Sequence, residues 1–500
     1  MAAVGAICIR SRKNMNELTI VLDTESKKPL YEQIYEYLKR EMQEGSIRPG
    51  ERLPSARSLA RFLQVSRSTV DLAYAQLVAE GYLESIPCKG YYAADAQLLY
   101  KIESKRDANK TLPESTPLNR RDAVKKVSEK KSYQYDFSVN GIDPEGSPAN
   151  LWRKISKRIL LDDTGQLFRQ GDPNGEESLR AAIAGYLYQA RGVHCKKEQI
   201  VVGAGNEYLL MLISNLVGRD SIIGIENPTY KSAYDTFLNL GHKMVDIDMN
   251  RDGMSVESLE ASGAQIAYVM PSHQFPTGIV MPIRRRIQLL KWADEKEDRY
   301  IIEDDYDSEF RYKGKPIPAL RGIDQTDKVI YIGTFSKSIS PATRISYMVL
   351  PEKLMEKAKK MGHFYSQTVS KVDQKIIEVL LTEGYFERHL NRMRALYKSK
   401  QEVLLNSFRE MEDIFTISGE DAGLHIVLTF SEGYEEKDLI ETAKKWGIRI
   451  YGESEYRTAA VCTESMKKPA RILLGFATMS IEEIREASSV LKKNVFRKIN

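Results

Sequence analysis

From Tyr133 onward, the chain repeats one pattern: a short apolar run that ends in a small or polar residue, and then a segment of helix length. The runs include QIVVGAG, SIIGIENP, QIAYVMPSH, YIIEDDYD and KVIYIGTF. Buried strands that alternate with helices are typical of a parallel sheet covered by helices. We therefore expect an α/β fold with a mostly parallel sheet, whose ligands bind beyond the carboxyl ends of the strands.

The sequence changes character twice, so we predict more than one domain in its 500 residues. The first part contains segments of helical periodicity that are separated by turn residues. A polar and charged stretch with two prolines follows, which is typical of a linker. We predict an N-terminal domain over residues 16–93, a charged linker over 94–132 and a large domain over 133–500.

The composition is that of a folded globular protein, with 42% hydrophobic and 29% charged residues. The longest apolar stretches, such as residues 208–217, are too short to span a bilayer. No basic region precedes the apolar residues 2–9, so we expect no signal peptide, and Met15 is an alternative start. The four cysteines have no metal or redox spacing. We expect a cytoplasmic protein without a membrane or metal partner.

Basic residues concentrate in the N-terminal quarter of the chain and in the segment behind it. Although the net charge is only +5, residues 46–70 carry five arginines and a single acid, Glu51. Residues 101–131 hold ten basic and five acidic residues. This distribution favours a polyanionic partner, although a solvated helix face has the same composition.

Two short helices are predicted in the N-terminal domain, one directly after the other across a tight turn. Ser55 and Ser66 stand at the expected N-caps, where a hydroxyl accepts a hydrogen bond from the first helical turn. Apolar residues recur at helical spacing on the second helix, and residues 82–93 fit a two-stranded wing. A helix-turn-helix places the start of its second helix in the major groove, so residues 67–69 are expected to face DNA.

This segment, PGERLPSARSLARFLQVSRSTV followed by AYAQLVAEGYL, resembles the winged-helix domain of the GntR family. The resemblance implies a double-stranded DNA operator as partner and contacts from the wing. Arginines suit phosphates, and Arg67 can pair with a guanine edge. Cys88 stands where the family usually has the first glycine of the wing. The residues expected at DNA are Arg52, Arg57, Arg67, Ser68, Thr69 and Gly90.

In the large domain, reactive and polar residues cluster where the predicted strands end. Lys337 follows an apolar strand in YIGTFSKSISPATRISY, with Thr334 and Ser336 beside it and Arg344 seven residues on. Hydroxyls and a guanidinium around one lysine make a good phosphate site. A lone lysine in a loop is nearly always a solvated charge, so this interpretation depends on what the neighbouring strand ends supply.

The neighbouring strand ends supply an acid, phenol groups and helix amides. Asp304 and Tyr306 end the strand in YIIEDDYDSEFRY, and Tyr230 follows the strand in SIIGIENP. Backbone amides at the start of a helix, together with the helix dipole, suit a phosphate. The residues that open such a helix, directly after the strand QIVVG, are Ala204, Gly205 and Asn206.

Pyridoxal 5'-phosphate requires this combination of groups: a lysine for the Schiff base, an acid for the pyridine nitrogen, a partner for the ring hydroxyl and donors for the phosphate. Lys337, Asp304 and Tyr306 fill the first three roles, and the strand ends that carry them come in the expected order along the chain. Residues 204–206 and Arg344 supply the donors. We therefore predict a pyridoxal phosphate site, with a degenerate scaffold without cofactor as the alternative.

The large domain resembles fold-type I aminotransferases, with their large and small subdomains, over roughly residues 150–490. Its segments ENPTY, PSHQFPTG, EDDYDSEFRY, GTFSK and LLGFA resemble the MocR/GabR subfamily of GntR regulators, which joins the same two domains. The resemblance implies that Lys337 forms the Schiff base and Asp304 pairs with the pyridine nitrogen. It further implies a ring stacked on Tyr230, a phosphate on Arg344 and an amino acid α-carboxylate on Arg471. A structural ion pair is the alternative for Arg471.

Three positions depart from the aminotransferase pattern. Phe275 stands where aminotransferases commonly have an asparagine that donates to the ring hydroxyl, so Tyr306 is expected to serve that hydroxyl alone. Gln170 stands where a tyrosine commonly reaches the phosphate of the neighbouring subunit. Ser232 gives no second cation for a distal carboxylate, which disfavours a dicarboxylate ligand.

These observations favour a transcription regulator that senses an amine, an amino acid or pyridoxal phosphate itself. A ligand that binds one conformation better than another would change the state of the DNA-binding domains. The resemblance implies a homodimer, domain-swapped, that contacts two operator half-sites. The alternative is an active aminotransferase with an accessory DNA-binding module, since the cofactor carries the chemistry in both cases.

Overall fold

A computed structural model describes residues 20, 22–23, 26, 28–87, 89–94, 133–162, 165–312, 317–361, 365–458 and 469–497. These residues form two compact units, and the division between the units falls within the predicted linker. Apart from Ala94, that linker lies outside the described residues, and so does Cys88 in the wing.

The N-terminal unit is a three-helix bundle with a two-stranded wing. Its core is formed by the apolar faces of the helices, with Ile34, Leu38 and Tyr74 among the fully buried side chains. Its elements are α1 (Leu30–Gln43), α2 (Ala56–Leu63), α3 (Arg67–Ala79), β1 (Leu83–Ile86) and β2 (Gly90–Ala93).

The predicted helix starts and the predicted wing are confirmed in this unit. The Ser55 hydroxyl accepts from the Ser58 amide at 3.2 Å, and the Ser66 hydroxyl accepts from the Thr69 amide at 3.1 Å. Strands β1 and β2 pair antiparallel from Leu83 opposite Ala93 to Ile86 opposite Gly90. The hydroxyl caps fix where α3 begins, and they therefore fix which residues its exposed first turn presents.

The large unit is built on a seven-stranded sheet in the order β4-β12-β11-β10-β9-β5-β6. Four of its six pairings are parallel, and β12 runs antiparallel to both of its neighbours. The expected mostly parallel α/β sheet is thus confirmed for the strands from β11 to β6. The strands are β4 (Ile200–Gly203), β5 (Ile222–Glu226), β6 (Lys243–Ile247), β9 (Ile266–Val269), β10 (Tyr300–Asp305), β11 (Val329–Thr334) and β12 (Ser346–Val349).

A second, antiparallel sheet in the order β13-β14-β17-β16 forms a smaller subdomain of the same unit. Two short pairs, β3 with β15 and β7 with β8, complete the strands of this unit. The remaining strands are β3 (Tyr135–Asp136), β7 (Met249–Asn250), β8 (Gly253–Met254), β13 (Phe415–Ser418), β14 (His425–Phe430), β15 (Ile448–Arg449), β16 (Tyr451–Gly452) and β17 (Arg471–Gly475).

Helices pack against both sheets and close the two main cores of the large unit. Among the described residues, none of the helices combines the length and the apolar character that crossing a membrane requires. The helices are α4 (Ala149–Asp162), α5 (Glu177–Arg191), α6 (Asn206–Val217), α7 (Lys231–Asn239), α8 (Val256–Ala261), α9 (Ile283–Asp294), α10 (Leu320–Ile323), α11 (Glu352–Met361), α12 (Lys371–Thr382), α13 (Tyr385–Phe408), α14 (Glu436–Lys445) and α15 (Ile481–Leu491).

Candidate functional site

The carboxyl end of β10 carries a buried acid that is held from two sides. Asp304 Oδ2 accepts hydrogen bonds from Asn206 Nδ2 at 3.0 Å and from the hydroxyl of Tyr268 on the adjacent strand β9. Burial raises the pKa of Asp304 to about 6, and the two hydrogen bonds act against that rise. Asn206 was predicted to offer its backbone amide to a phosphate, and its side-chain contact with Asp304 was not predicted. Tyr268 was not predicted either, because it lies within a strand rather than at its end.

Lys337 lies in the loop that follows β11. Its Nζ donates to the backbone oxygen of Val139 at 3.2 Å. Burial of the ammonium group lowers the pKa of Lys337 to about 8, and the negative charge of Asp307 opposes that decrease. A lysine with a lowered pKa is unprotonated more often near neutral pH, so it is a better nucleophile toward a carbonyl group.

Hydroxyl groups and a guanidinium lie around the start of α6. Thr334 Oγ1 accepts from the Ser336 amide at 3.1 Å and from the Ser346 hydroxyl at 3.0 Å. Arg344 Nη2 donates to Glu207 Oε2 at 2.7 Å, and both side chains are about half exposed. Arg344 is therefore neutralised by a carboxylate that an incoming anion would have to replace.

Gly205 provides room for that arginine. Its φ of +96° is rarely adopted by other residues, and a Cβ at this position would overlap the Arg344 guanidinium, lying 2.7 Å from Cζ. Two of the predicted backbone donors are already engaged: the Ala204 amide donates to Thr368 Oγ1 at 3.1 Å and the Gly205 amide to the Gly203 oxygen at 2.9 Å. Because these two amides are engaged, the Arg344 guanidinium is a better donor to an anion here than they are.

An aromatic cluster with Phe275 at its centre lies against the predicted site. The ring of Tyr230, which precedes α7, meets Phe275 edge-on at 6.2 Å, and Tyr306 meets it at 6.1 Å. His425 and Tyr456 lie 5.6 Å and 4.9 Å from Phe275. Phe275 is therefore packed as a hydrophobic side chain, as its chemistry requires, and the stacking role of Tyr230 remains a prediction.

A buried histidine connects Tyr306 to a second acid. His273 Nδ1 lies 2.9 Å from Asp307 Oδ2 and 3.0 Å from the Tyr306 hydroxyl oxygen. The sequence predicted no role for His273, and it did not indicate Asp307 as its partner. The last acid in EDDYD and the histidine in PSHQ were the available signals, but nothing in the sequence linked them.

Arg471 lies at the start of β17, where its Nη1 donates to Glu453 Oε1 at 2.8 Å. Glu453 is only 1% exposed and also accepts from Arg457 Nη2 at 2.7 Å. This is the ion pair that was the alternative for Arg471. Leu473, two residues further on the same face of the strand, packs into the core with Val139. The role of Arg471 as a carboxylate ligand therefore remains a prediction.

In the N-terminal unit, the first turn of α3 is exposed as expected. The Arg67 side chain is 70% exposed, and its Nε lies 3.3 Å from Asp71 Oδ2 one turn further on. The hydroxyls of Ser68 and Thr69 lie 2.8 Å and 2.7 Å from that of Ser66. Arg67 thus presents a guanidinium at the end of the helix that helix-turn-helix proteins insert into the major groove.

The wing lies beside a second basic side chain. Gly90 has a φ of +108°, and a Cβ there would come within 3.6 Å of Arg52 Nε. Arg52 also forms a bridge to Tyr92 of β2. The side chains of Arg52 and Arg57 are exposed, so both are available to a phosphate backbone.

Two family models match the chain, one in each unit. Residues 134–491 match aminotransferase class I and II, and residues 30–92 match bacterial regulatory proteins of the gntR family. The chain therefore belongs to the HTH-type transcriptional regulators that combine a gntR-family DNA-binding domain with an aminotransferase-like domain.

Relatives with both domains match over nearly their full length. The HTH-type regulator YdeL of Bacillus subtilis is 40% identical over 93% of this chain and 96% of its own. The probable rhizopine catabolism regulatory protein MocR of Rhizobium meliloti is 32% identical over 95% of each chain. Among solved structures, a multiple substrate aminotransferase from Thermococcus profundus is 25% identical, with a TM-score of 0.64 over 76% of this chain and 95% of that chain.

Proposed function

We propose that this regulator binds pyridoxal phosphate on Lys337 and uses the site to sense an amine, an amino acid or the cofactor itself. The observation that carries the proposal is that Asp304 ends β10, Lys337 follows β11 and Arg344 precedes β12, which are three neighbouring strands, in a chain that also has a helix-turn-helix. We further propose that it acts in the cytoplasm as a domain-swapped homodimer on two operator half-sites. The predicted division at residues 16–93, 94–132 and 133–500 belongs to the same proposal.

The residues present fit the cofactor. The side-chain nitrogen of Asn206 donates to the Asp304 carboxylate. The side-chain oxygen Oδ1 of Asn206 is buried and has no hydrogen-bond partner among the described residues. The close approach of Arg344 to Gly205 leaves a cationic group at the start of α6. When bound, pyridoxal phosphate supplies an aldehyde that condenses with amines and a ring that withdraws electrons.

Each protein group has a defined task in this proposal. Asp304, held as an anion above its pKa of about 6, would keep a proton on the pyridine nitrogen. Thr334, Ser336 and Arg344 would bind the phosphate, which competes with Glu207 for Arg344. Tyr230 would cover one face of the ring, and Tyr306 would donate to its hydroxyl.

Sensing follows from differential binding. An amine effector would displace Lys337, and a carboxylate on that effector would compete with Glu453 for Arg471. Both arginines therefore exchange an internal partner for a ligand group. A conformation in which these exchanges are favourable gains population when the ligand binds, and this is how the ligand would change DNA binding.

An active aminotransferase is the second candidate, favoured by one comparison. An aromatic-amino-acid aminotransferase from Thermococcus litoralis is 28% identical over 70% of this chain. The same Lys337 and Asp304 would serve turnover, so assays with amino donors and keto acids distinguish the two functions. Keto acid production in large excess over protein would favour the enzyme.

The visible absorbance of the protein loaded with pyridoxal phosphate tests the cofactor site. We expect a band above the protein absorbance in the natural chain, absent in Lys337→Ala and retained in Lys360→Ala, which changes an exposed lysine of α11. Borohydride reduction followed by peptide mapping should place the cofactor on Lys337. A natural chain that stays colourless with added cofactor contradicts the proposal.

A further inference from the structure

His273 is buried and its two ring nitrogens have unequal surroundings. Nδ1 faces Asp307, at 2.9 Å and 3.2 Å from the two carboxylate oxygens, and the Tyr306 hydroxyl at 3.0 Å. Nε2 has no hydrogen-bond partner among the described residues, although His273 is only 2% exposed. These contacts decide where the hydrogen atoms can be.

A carboxylate accepts hydrogen bonds and donates none, so Asp307 requires a proton on the nitrogen that faces it. A neutral imidazole carries one proton, which then belongs to Nδ1, and Nε2 has the lone pair. The Tyr306 oxygen consequently meets an N–H rather than a lone pair. His273 cannot accept the hydroxyl proton of Tyr306. Burial, and after it the charge of Asp307 and a hydrogen bond to Asp307, raise the pKa of Tyr306, so the Asp307 carboxylate is the acceptor that a ligand oxygen would have to replace.

We propose that His273, held by Asp307, is a positioning residue that does not take the hydroxyl proton of Tyr306 and so leaves it available to the ring oxygen of the bound cofactor. This inference rests on the proposed cofactor site, where Tyr306 serves the ring hydroxyl. It explains how one phenol can act as the donor there although Phe275, in the place of the common asparagine, cannot donate.

The surrounding backbone fixes the histidine ring in the required orientation. Gly423 has a φ of +77°, and a Cβ on it would overlap the His273 ring and lie 2.8 Å from Asp307 Oδ2. Gly278, with a φ of +73°, would place a Cβ 3.6 Å from Nε2. The ring of His425 lies 5.2 Å away on the remaining side. His273 therefore has little freedom to rotate and exchange its nitrogens.

His425 does not provide a competing charge. Its Nε2 lies 2.9 Å from the backbone oxygen of Pro276, which can only accept, so that nitrogen carries the proton. Burial, and then the proximity of His273, lowers the pKa of His425 to about 3. His425 is thus neutral at physiological pH, and Asp307 is the only charged group that faces His273 Nδ1 among the contacts described above.

The tautomer is measured directly on the full-length chain without cofactor. The chain has six histidines, so selective ¹⁵N labelling gives few side-chain signals, and His273→Gln assigns the one of interest. We expect a protonated Nδ1 and an unprotonated Nε2. A proton on Nε2 with a lone pair on Nδ1 overturns the proposal, whether or not the chain binds pyridoxal phosphate.

The consequence for the cofactor is measured as the pH midpoint of its visible band. Removing a donor to the ring oxygen destabilises the deprotonated chromophore, so Tyr306→Phe should raise the midpoint by about one pH unit or more. His273→Leu should raise it in the same direction, and the double variant should add little. His273→Asn, which keeps an amide donor toward Asp307, should stay near the natural midpoint.

Two controls keep the outcomes distinct. His194→Leu removes an exposed histidine whose ring packs edge-on against Tyr188, and it should leave the midpoint unchanged. An unchanged midpoint in cofactor-loaded His273→Leu contradicts the proposal. If His273→Leu binds no cofactor, the tautomer measurement decides. A natural chain that never forms the band refutes the proposed cofactor site separately from the tautomer.

Discussion

At the residue scale, the ion pair between Arg471 and Glu453 is one that a bound effector would replace. Arg471 and Arg457 both donate to the buried Glu453, so Arg471→Ala and Arg457→Ala should each reduce the free energy of unfolding by about 1 to 3 kcal/mol. If Arg471 binds the effector carboxylate, only its variant should lose the spectral response to amino acids while keeping the response to amines without a carboxylate. Equal responses of the two variants would leave Arg471 with its structural role alone.

The buried Asp304 should give the ligand-free protein a specific pH dependence. Its folded pKa of about 6 exceeds the ordinary value of 3.8, so ionisation costs stability, and that stability is lost as pH rises from about 4 to about 6. Asp304→Asn avoids this cost. We compare the free energy of unfolding of the variant with that of the natural chain at each pH. This difference should shift in favour of the variant by about 2 to 3 kcal/mol between pH 4 and a pH above 6. Denaturant unfolding at several pH values measures it, and a constant difference would contradict the assigned pKa.

The same variant separates stability from function. Asparagine is a poor substitute for an anion beside a protonated pyridine nitrogen, so Asp304→Asn should release pyridoxal phosphate more readily although it unfolds less readily. Cofactor retention after dialysis measures this. Tighter retention in the variant would argue against the pairing of Asp304 with the ring nitrogen.

For single residues, the sequence predicted which residues lie at the site better than it predicted their hydrogen-bond partners. Asp304, Asn206 and Lys337 follow from apolar runs and the residues that end them, which is local information. The contacts of Asp304 with Tyr268 and of Asp307 with His273 join segments more than 30 residues apart. These contacts depend on the orientation of side chains on adjacent strands, and the spacing of residues within one segment does not predict that orientation.

At the scale of elements, the start of α6 is a testable part of the site. Gly205 and Gly218 flank this helix with φ values of +96° and +93°, so alanine at either position meets a comparable backbone penalty. Only Gly205→Ala would push against Arg344, because a Cβ on Gly218 meets nothing within 4 Å. We expect Gly205→Ala to weaken cofactor binding about 10-fold or more relative to Gly218→Ala. Equal affinities would exclude this part of the proposed phosphate site.

The first turn of α3 is the corresponding test in the N-terminal unit. Arg67→Ala should lose about 1 to 3 kcal/mol of binding to the operator and relax specificity at one base pair, with no change in thermal stability because the side chain is exposed. Arg61→Ala, on the exposed face of α2, is the control. Fluorescence anisotropy with the operator and a scrambled duplex measures both. Unchanged operator affinity of Arg67→Ala would argue against the docking of α3 in the major groove.

Elements were predicted where local chemistry decides them. The hydroxyl caps at Ser55 and Ser66 and the apolar runs of the large sheet follow from residue types alone. The antiparallel direction of β12 does not, because a strand buried on both faces has the same apolar pattern in either direction. The engaged amides of Ala204 and Gly205 were also beyond reach, since Thr368 lies far along the chain.

At the scale of the whole molecule, sensing requires that the two ligands change each other's affinity. If an amine changes operator affinity by a given factor, operator DNA must change the affinity of the amine for the cofactor-loaded chain by the same factor, because binding free energies around a closed cycle sum to zero. Titrating the visible band with amine in the presence and absence of operator, alongside operator titrations with and without amine, measures both factors. Lys337→Ala should abolish the effect of the amine on DNA binding, and Arg67→Ala should abolish the effect of DNA on the band. An amine that saturates the change in the visible band and leaves operator affinity unchanged is not the effector. If every amine that changes the band leaves operator affinity unchanged, the large unit does not act as an amine sensor. The cofactor itself then remains as the signal.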